Sequence, residues 1–348
     1  MSMPEAQNGP MQVALALGSG GARGYAHIGV VDELHARGYE VVGVAGSSMG
    51  ALVGGVLAAG RLDEFSDWAR SLTQRAVLML MDPALNAAGV LRAEKVLDAV
   101  RAILGPVQIE DLDIPYTAVA TDLITGRSVW LQRGPVDDAI RASIAIPGVI
   151  SPHILDGRLL GDGGILDPIP MAPIAAVRAD VTIAVTFAGN GPEDPADQQP
   201  NRTTDWWNRV WRNTSASLLD TKAARSLRET TAGRALLSRL TPDEDLGEPG
   251  SAETEPAEAE PAETEPEDAV AAPRLGGFEV MNRSFDIAQA ALARHTLAAY
   301  PPDLLIEVPR TVCRSLEFYR AEEVIAVGRA YAADALDAFE AQNAAADG

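Results

Sequence analysis

Apolar and polar positions fall in well-separated blocks along this chain. QVALAL at 12–17 is a compact apolar run stopped by glycine, and EVVGVAG at 40–46 is a second. Between them Ile28, Val31 and Leu34 recur at helical spacing, which predicts a helix over 23–37. MGALVGGVLAAG (49–60) then follows the second run as another helix. Strands apolar on every residue, alternating with helices, are what a parallel sheet covered on both faces requires. DEFSDWARSL (63–72) and RAEKVLDAVRAIL (92–104) read as amphipathic helices, and 115–123 with 127–131 as a β-hairpin across a Thr-Gly turn. VDDAIRASIAI (136–146) is a helix halted by Pro147. VTIAVTF (181–187) and DLLIEVP (303–309) are further buried strands, and 321–342 is a closing helix. The pattern predicts an α/β fold, a three-layer sandwich with a mainly parallel central sheet.

Two segments break the pattern. Residues 1–10 are a patternless polar tail, predicted to be disordered. The stretch 191–276 reads as an insertion into one α/β domain spanning 11–348. Within it, 205–240 is predicted helical and carries Trp206, Trp207 and Trp211, while 241–272 is acidic and too poor in apolar residues to repay the entropy of ordering. The tryptophan helix has two readings, an interfacial helix at a lipid surface or a lid packed on the domain. The second is preferred, because negative charge opposes anionic membranes.

The charge is strongly uneven. The 348 residues carry a formal net charge of −21, of which residues 241–270 hold −12, with twelve acids and no base. An acidic chain repels phosphate backbones, so nucleic acid is not an expected partner. One cysteine, Cys313, excludes an intrachain disulfide. No secretory signal or membrane-spanning run is recognisable, so the expected location is cytoplasmic, with any membrane contact peripheral. No HExxH motif, cysteine cluster or EF-hand loop is present, so no metal or cofactor is implied.

Three motifs carry candidate chemistry. GSSMG at 46–50 turns from strand to helix with Gly46 and Gly50 flanking Ser48. Such a turn is either a serine-containing tight turn or a nucleophile elbow, in which packing leaves no room for side chains two positions either side. GSGGARG at 18–24 follows the first strand; it lacks the last glycine of a dinucleotide loop and the lysine of a P-loop. Its consecutive N–H groups and its arginine suit an oxyanion hole or an anion cradle. Among the histidines, His295 alone lies late enough for a Ser-Asp-His order, but it sits in a plain helical pattern, and His27 lies one turn into the first helix. Asp162, before Gly163 and Gly164, reads either as a surface aspartate in an Asp-Gly turn or as the better base, since an aspartate held partly desolvated in these apolar, proline-stiffened surroundings would have its pKa raised from about 3.9.

Together GGARG, GSSMG, DGG and the block RASIAIPGVISPHILDGRLLGDGGILDPIP resemble the patatin-like phospholipases, in their bacterial, cytosolic-type branch. The resemblance covers roughly 12–190 and resumes at about 277, with the catalytic core over about 15–176. It implies a patatin-like fold and a Ser–Asp dyad without histidine. Ser48 is then the nucleophile, Asp162 the proton acceptor, and Gly20, Gly21 and Ala22, with Arg23 nearby, the oxyanion hole. The implied activity is hydrolysis of a lipid or acyl ester through an acyl-enzyme. The alternatives are a low-turnover adaptor on the same fold, acyl transfer, and a Ser-His-Asp hydrolase using His295. Two departures stand out: Ser19 occupies the family's first glycine of the oxyanion run, and the resemblance does not explain the 191–276 insertion. The sequence leaves the oligomeric state open.

Overall fold

The structure, a computed structural model, describes residues 9–80, 94–147, 149–188 and 277–346. The predicted tail as far as residue 8, the helical 205–240 and the acidic 241–272 lie outside these residues. By contacts the chain divides into two units, Met1–Gln199 with Asn282–Gly348, and Pro200–Met281. The architecture below belongs to the first; of the second, only the opening turn of one helix, 277–281, is among the described residues.

The described residues form one sheet of eight strands: β1 Gln12–Leu17, β2 Glu40–Ser47, β3 Tyr116–Asp122, β4 Arg127–Leu131, β5 His153–Leu155, β6 Arg158–Asp162, β7 Val181–Ala188 and β8 Leu304–Pro309. The order is β5-β6-β3-β2-β1-β7-β8, with β4 also paired to β3. β1 pairs in parallel with β2 and β7, β2 with β3, and β7 with β8. Around the sheet lie α1 Ala26–Ala36, α2 Met49–Ala58, α3 Leu62–Ser71, α4 Gln74–Leu80, α5 Glu94–Leu104, α6 Val136–Ser143, α7 Met171–Ile174, α8 Gly277–Ala299 and α9 Ala321–Ala346.

Strand β1 shows how the layers arise. Its successive side chains point to opposite faces. Val13, Leu15 and Leu17 enter the larger core, with Ile28 of α1, Leu52 of α2 and Val324 of α9. Ala14 and Ala16 enter a second core with Ala45, Ala184, Met171 and Ile174 of α7 and Ala293 of α8. Each fully buried Leu or Ile contributes about 1.5–3 kcal/mol, so a strand apolar on both faces has no solvated alternative. The predicted sandwich with a mainly parallel sheet is the observed fold. In α3, Leu62, Phe65, Ser66 and Ala69 are buried at helical spacing, with Asp63 and Glu64 in the first turn and Arg70 in the last, as the helix dipole favours.

Several elements differ from expectation, among them α4, which lies where no helix was predicted. The predicted 23–37 helix begins with a 3₁₀ turn, Gly21–Tyr25, before α1, a common way to tighten a helix start. The predicted 136–146 helix ends at Ser143, four residues ahead of Pro147, whose ring disfavours helical geometry before it. A hairpin, β5–β6, lies where no strand was predicted, turning through Asp156 (φ 49°) and Gly157 (φ 73°).

The sheet's register positions the site. β4 occupies one edge of β3 along Ala118–Asp122. β2 pairs with Tyr116–Val119 and β6 with Ala120–Asp122, so those two strands share the opposite edge. β2 runs parallel to β3 and β6 antiparallel, so they run head-on in a single lane. Their carboxyl ends meet there, Ser47 opposite Val119 and Asp162 opposite Ala120.

Candidate active site

Ser48 follows β2 directly and precedes α2, at the carboxyl end of its strand, with φ 56° and ψ −122°. It is one of two non-glycine residues with positive φ among the described residues. Such a conformation costs of order 1–3 kcal/mol and persists only where the surroundings impose it. Here they do. The Ser48 N–H donates to Ser143 Oγ at 2.9 Å, and that hydroxyl donates to Val119 O at 2.6 Å. The Ser48 carbonyl accepts from Ala51 and Leu52 in the first turn of α2. The flanking glycines follow from packing: a Cβ on Gly46 would overlap the Gly50 carbonyl, and one on Gly50 would overlap Leu17 O.

Asp162 ends β6, fully buried, its main chain held on both sides. Its N–H donates to Ala145 O at 2.9 Å, and its carbonyl accepts from Thr121 Oγ1 at 2.9 Å. The short segment Ser143–Ala145 thus holds both candidate residues, Ser48 through a hydroxyl and Asp162 through a carbonyl. Asp162 Oδ1 accepts the Gly164 N–H at 2.7 Å, while Oδ2 is buried without a partner. Burial pushes the carboxyl up to about 7, against the opposing pull of the nearby Ser48 hydroxyl and the Gly164 N–H. The Ser48 hydroxyl thus lies near enough to the Asp162 carboxyl to act on it. Gly163 and Gly164 have no room for side chains: a Cβ on the first would overlap Val119 O, and on the second, Gln289 Nε2.

The glycine loop is tethered from several directions. Gly18 N–H donates to Val185 O and Ser19 N–H to Pro168 O. Of the four predicted oxyanion residues, Ala22 has its N–H engaged by Ser315 O at 2.9 Å. Arg23 spends its guanidinium on the Arg310 and Cys313 carbonyls, each at 3.0 Å, and on Asp286 at 3.2 Å, so it anchors the loop. Gly20 and Gly21 have no hydrogen-bond partner on their N–H groups among the described residues. The Met49 N–H, in the first turn of α2, is the further donor that a helix start leaves open and that the motif reading did not name.

None of the four histidines hydrogen-bonds Ser48 or Asp162 among the described residues. His295 is exposed on α8, His35 is exposed on α1, and His153 lies 3.5 Å from Asp138. His27 is buried, with Nε2 2.8 Å from Gly18 O; burial lowers it to about 4, so the neutral ring donates to that carbonyl. Among the described residues no group of three or more His, Cys, Asp or Glu is placed to hold a metal ion.

Ser48 is 2% exposed, and it lines a cavity of about 100 Å3. Leu52, Phe65, Trp68, Ile150 and Phe318 supply apolar walls, and Gly21 and Met49 join Ser48 in the lining. A hydroxyl, an unpaired carboxylate oxygen and open N–H donors therefore meet beside an apolar space. That combination suits attack on an acyl carbonyl.

Residues 15–175 match the Patatin-like phospholipase family. An uncharacterized NTE family protein of Mycobacterium tuberculosis is 64% identical over 94% of this chain and 92% of its own length. The human Patatin-like phospholipase domain-containing protein 6 is 30% identical over 56% of this chain and 14% of its own. Lysophospholipase NTE1 of Mycosarcoma maydis is likewise 30% identical, over 57% of this chain and 11% of its own. With the NTE relative matched at nearly full length, the chain belongs to the patatin-like phospholipase family.

Proposed function

We propose that this protein is a serine lipid acyl hydrolase, a carboxylic ester hydrolase with Ser48 as nucleophile and Asp162 as the only general base. The observation that carries the reading is the head-on meeting of β2 and β6. It sets a strained serine beside a buried carboxylate that no cation among the described residues neutralises. The Asp162 carboxylate takes the Ser48 proton as Oγ attacks the ester carbonyl. The tetrahedral oxyanion is met by the N–H groups of Gly20, Gly21 and Met49. Collapse expels the alcohol, which receives the proton from Asp162, and leaves an acyl-Ser48. Asp162 then deprotonates water, which attacks the acyl carbonyl; collapse breaks the bond to Ser48 Oγ, which takes the proton back from Asp162 as the acid is freed.

The substrate class follows from the apolar cavity and from the family. The apolar cavity at Ser48 suits an acyl chain, and relatives named lysophospholipases support a single-chain phospholipid or a simpler ester. Such a substrate is met at a lipid surface, so peripheral membrane contact belongs to the proposal. So does the organisation of 11–348 as one α/β domain interrupted by 191–276. No helix among the described residues is long and apolar enough to cross a membrane.

The test is turnover of p-nitrophenyl butyrate and of a lysophospholipid by wild type, Ser48→Ala, Asp162→Asn and His295→Ala. Loss in the first two variants with His295→Ala unchanged is the expected result. Loss in His295→Ala would restore the histidine mechanism. A wild type inert on both substrates and unlabelled by a fluorophosphonate would instead favour a binding protein on the same fold.

A further inference from the structure

The glycine loop poses a positioning problem. Gly20 and Gly21 have no side chains to fix them, and Gly21 sits at φ 56°, a conformation that side chains rarely adopt, so their N–H groups depend on the residues on either side. Oxyanion donors are effective only when held in place before the charge develops. Ser19 is the last residue before this pair that has a side chain. Its Oγ accepts a hydrogen bond from Gln289 Nε2 at 3.2 Å, across 270 residues of sequence.

Gln289 is unusual in its own right. It is a polar residue 5% exposed on α8, the helix that opens right after the insertion, and it lies outside the 15–175 block that matches the family. Asp286, one turn earlier on the same helix, pairs with Arg23, so a single face of α8 holds the loop at both ends. The Gln289 amide and the Ser19 hydroxyl also crowd Gly164, where a Cβ would overlap both. Gly164 is the residue whose N–H holds Asp162 Oδ1. Three segments that must keep their spacing therefore converge on one amide: the oxyanion loop, the Asp162 turn and α8.

We propose that Gln289 is a positioning residue, its hydrogen bond to Ser19 fixing the oxyanion loop relative to the Asp162 carboxylate. Ser19, where the family pattern has glycine, then has a purpose: it supplies the hydroxyl that α8 grips. The inference rests on the hydrolase reading given above and adds to it a residue that touches neither substrate nor nucleophile.

The test is a double-mutant cycle on p-nitrophenyl butyrate. It uses wild type, Gln289→Met, Ser19→Ala and the combination, with kcat, KM and Tm measured for each. Methionine keeps the length and bulk of glutamine without its donors. Gln289→Met is expected to lower kcat about tenfold with KM within about twofold, because transition-state stabilisation is lost and ground-state binding is not. In the Ser19→Ala background the same change is expected to cost less than about twofold, since the bond it removes is already absent. Gln289→Asn, an amide too short to reach Ser19, should repeat the loss and guards against an effect of the methionine itself. An equal loss of kcat in both backgrounds, or a fall in Tm with kcat intact, would overturn the proposal and leave Gln289 a packing residue. A wild type without turnover would remove the hydrolase reading and this inference with it; with wild-type turnover intact, only the role of Gln289 is at stake.

Discussion

Asp122 and Asp162 end neighbouring, hydrogen-bonded strands two register positions apart, yet their environments push their carboxyls in opposite directions. Asp122 faces the β3–β4 turn and accepts the N–H groups of Ile124 and Thr125, at 2.9 and 3.1 Å, which hold it below the usual carboxylate range. Asp162 is enclosed, accepts a single N–H on one oxygen, and is pushed up to about 7 by burial. Satisfying a carboxylate with donors makes a stable turn. Withholding donors from a fully enclosed carboxylate makes a base that works near neutral pH. The sheet makes the distinction by lane: β3 runs out into a turn, while β6 runs into the end of β2.

The comparison can be broken by substitution. Asp162→Asn is expected to lower kcat at least about a thousandfold, the upper part of the range for losing a general base, while Asp122→Asn stays within about threefold. Steady-state turnover of p-nitrophenyl butyrate separates the two, and equal losses would erase the distinction.

Next in size is Ser143→Ala. It removes the hydroxyl that holds the strained Ser48 N–H and leaves that group buried and unpaired, at a cost of about 1–3 kcal/mol. We expect kcat about tenfold lower and a reduced Tm, whereas His295→Ala, on an exposed helix position, leaves both unchanged.

The smaller effects are in stability against pH, and they differ in sign. The folded chain keeps a proton on Asp162 that the unfolded chain releases, so this group's contribution falls as pH rises from 3.8, its ordinary value, to about 7. Asp167, also raised to about 7 by burial, adds to the same decline. Asp162→Asn removes the need to bury a charge, so it should unfold at a higher temperature than wild type at pH 8, with the gain shrinking towards pH 4. Asp122, held low, contributes stability that is present above 3.8 and lost as pH falls through its depressed value. Asp122→Asn should therefore be less stable than wild type at pH 8 and converge with it in acid. Thermal melts at several pH values decide both.

Much of this was legible in the sequence, for a physical reason. Strands buried on both faces are largely apolar, so β1, β2 and β7 stand out as runs, while β8, at the sheet's edge with Glu307 exposed, stands out less sharply. The glycines at 46, 50, 163 and 164 mark places where backbone and side chains leave no room for a Cβ, and they framed Ser48 and Asp162. The β5–β6 hairpin was missed because its strands are only three and five residues long. Its signal was the Asp156-Gly157 dipeptide between HIL and RLL, a turn pair with positive φ at both positions. Ser143 and Gln289 left no such mark. They act through hydrogen bonds spanning 95 and 270 residues, and no local periodicity encodes those. The donor already spent at Ala22 was hidden for the same reason, since its partner, Ser315, lies at the far end of the chain.

The most direct measurement is fluorophosphonate labelling from pH 5 to pH 9, with the adduct located by mass spectrometry in wild type and Asp162→Asn. The account requires one adduct, on Ser48, forming faster as pH rises through about 7, the value to which burial lifts Asp162, and suppressed in Asp162→Asn. An adduct on another residue, or a Ser48 rate that ignores both pH and Asp162, would contradict it.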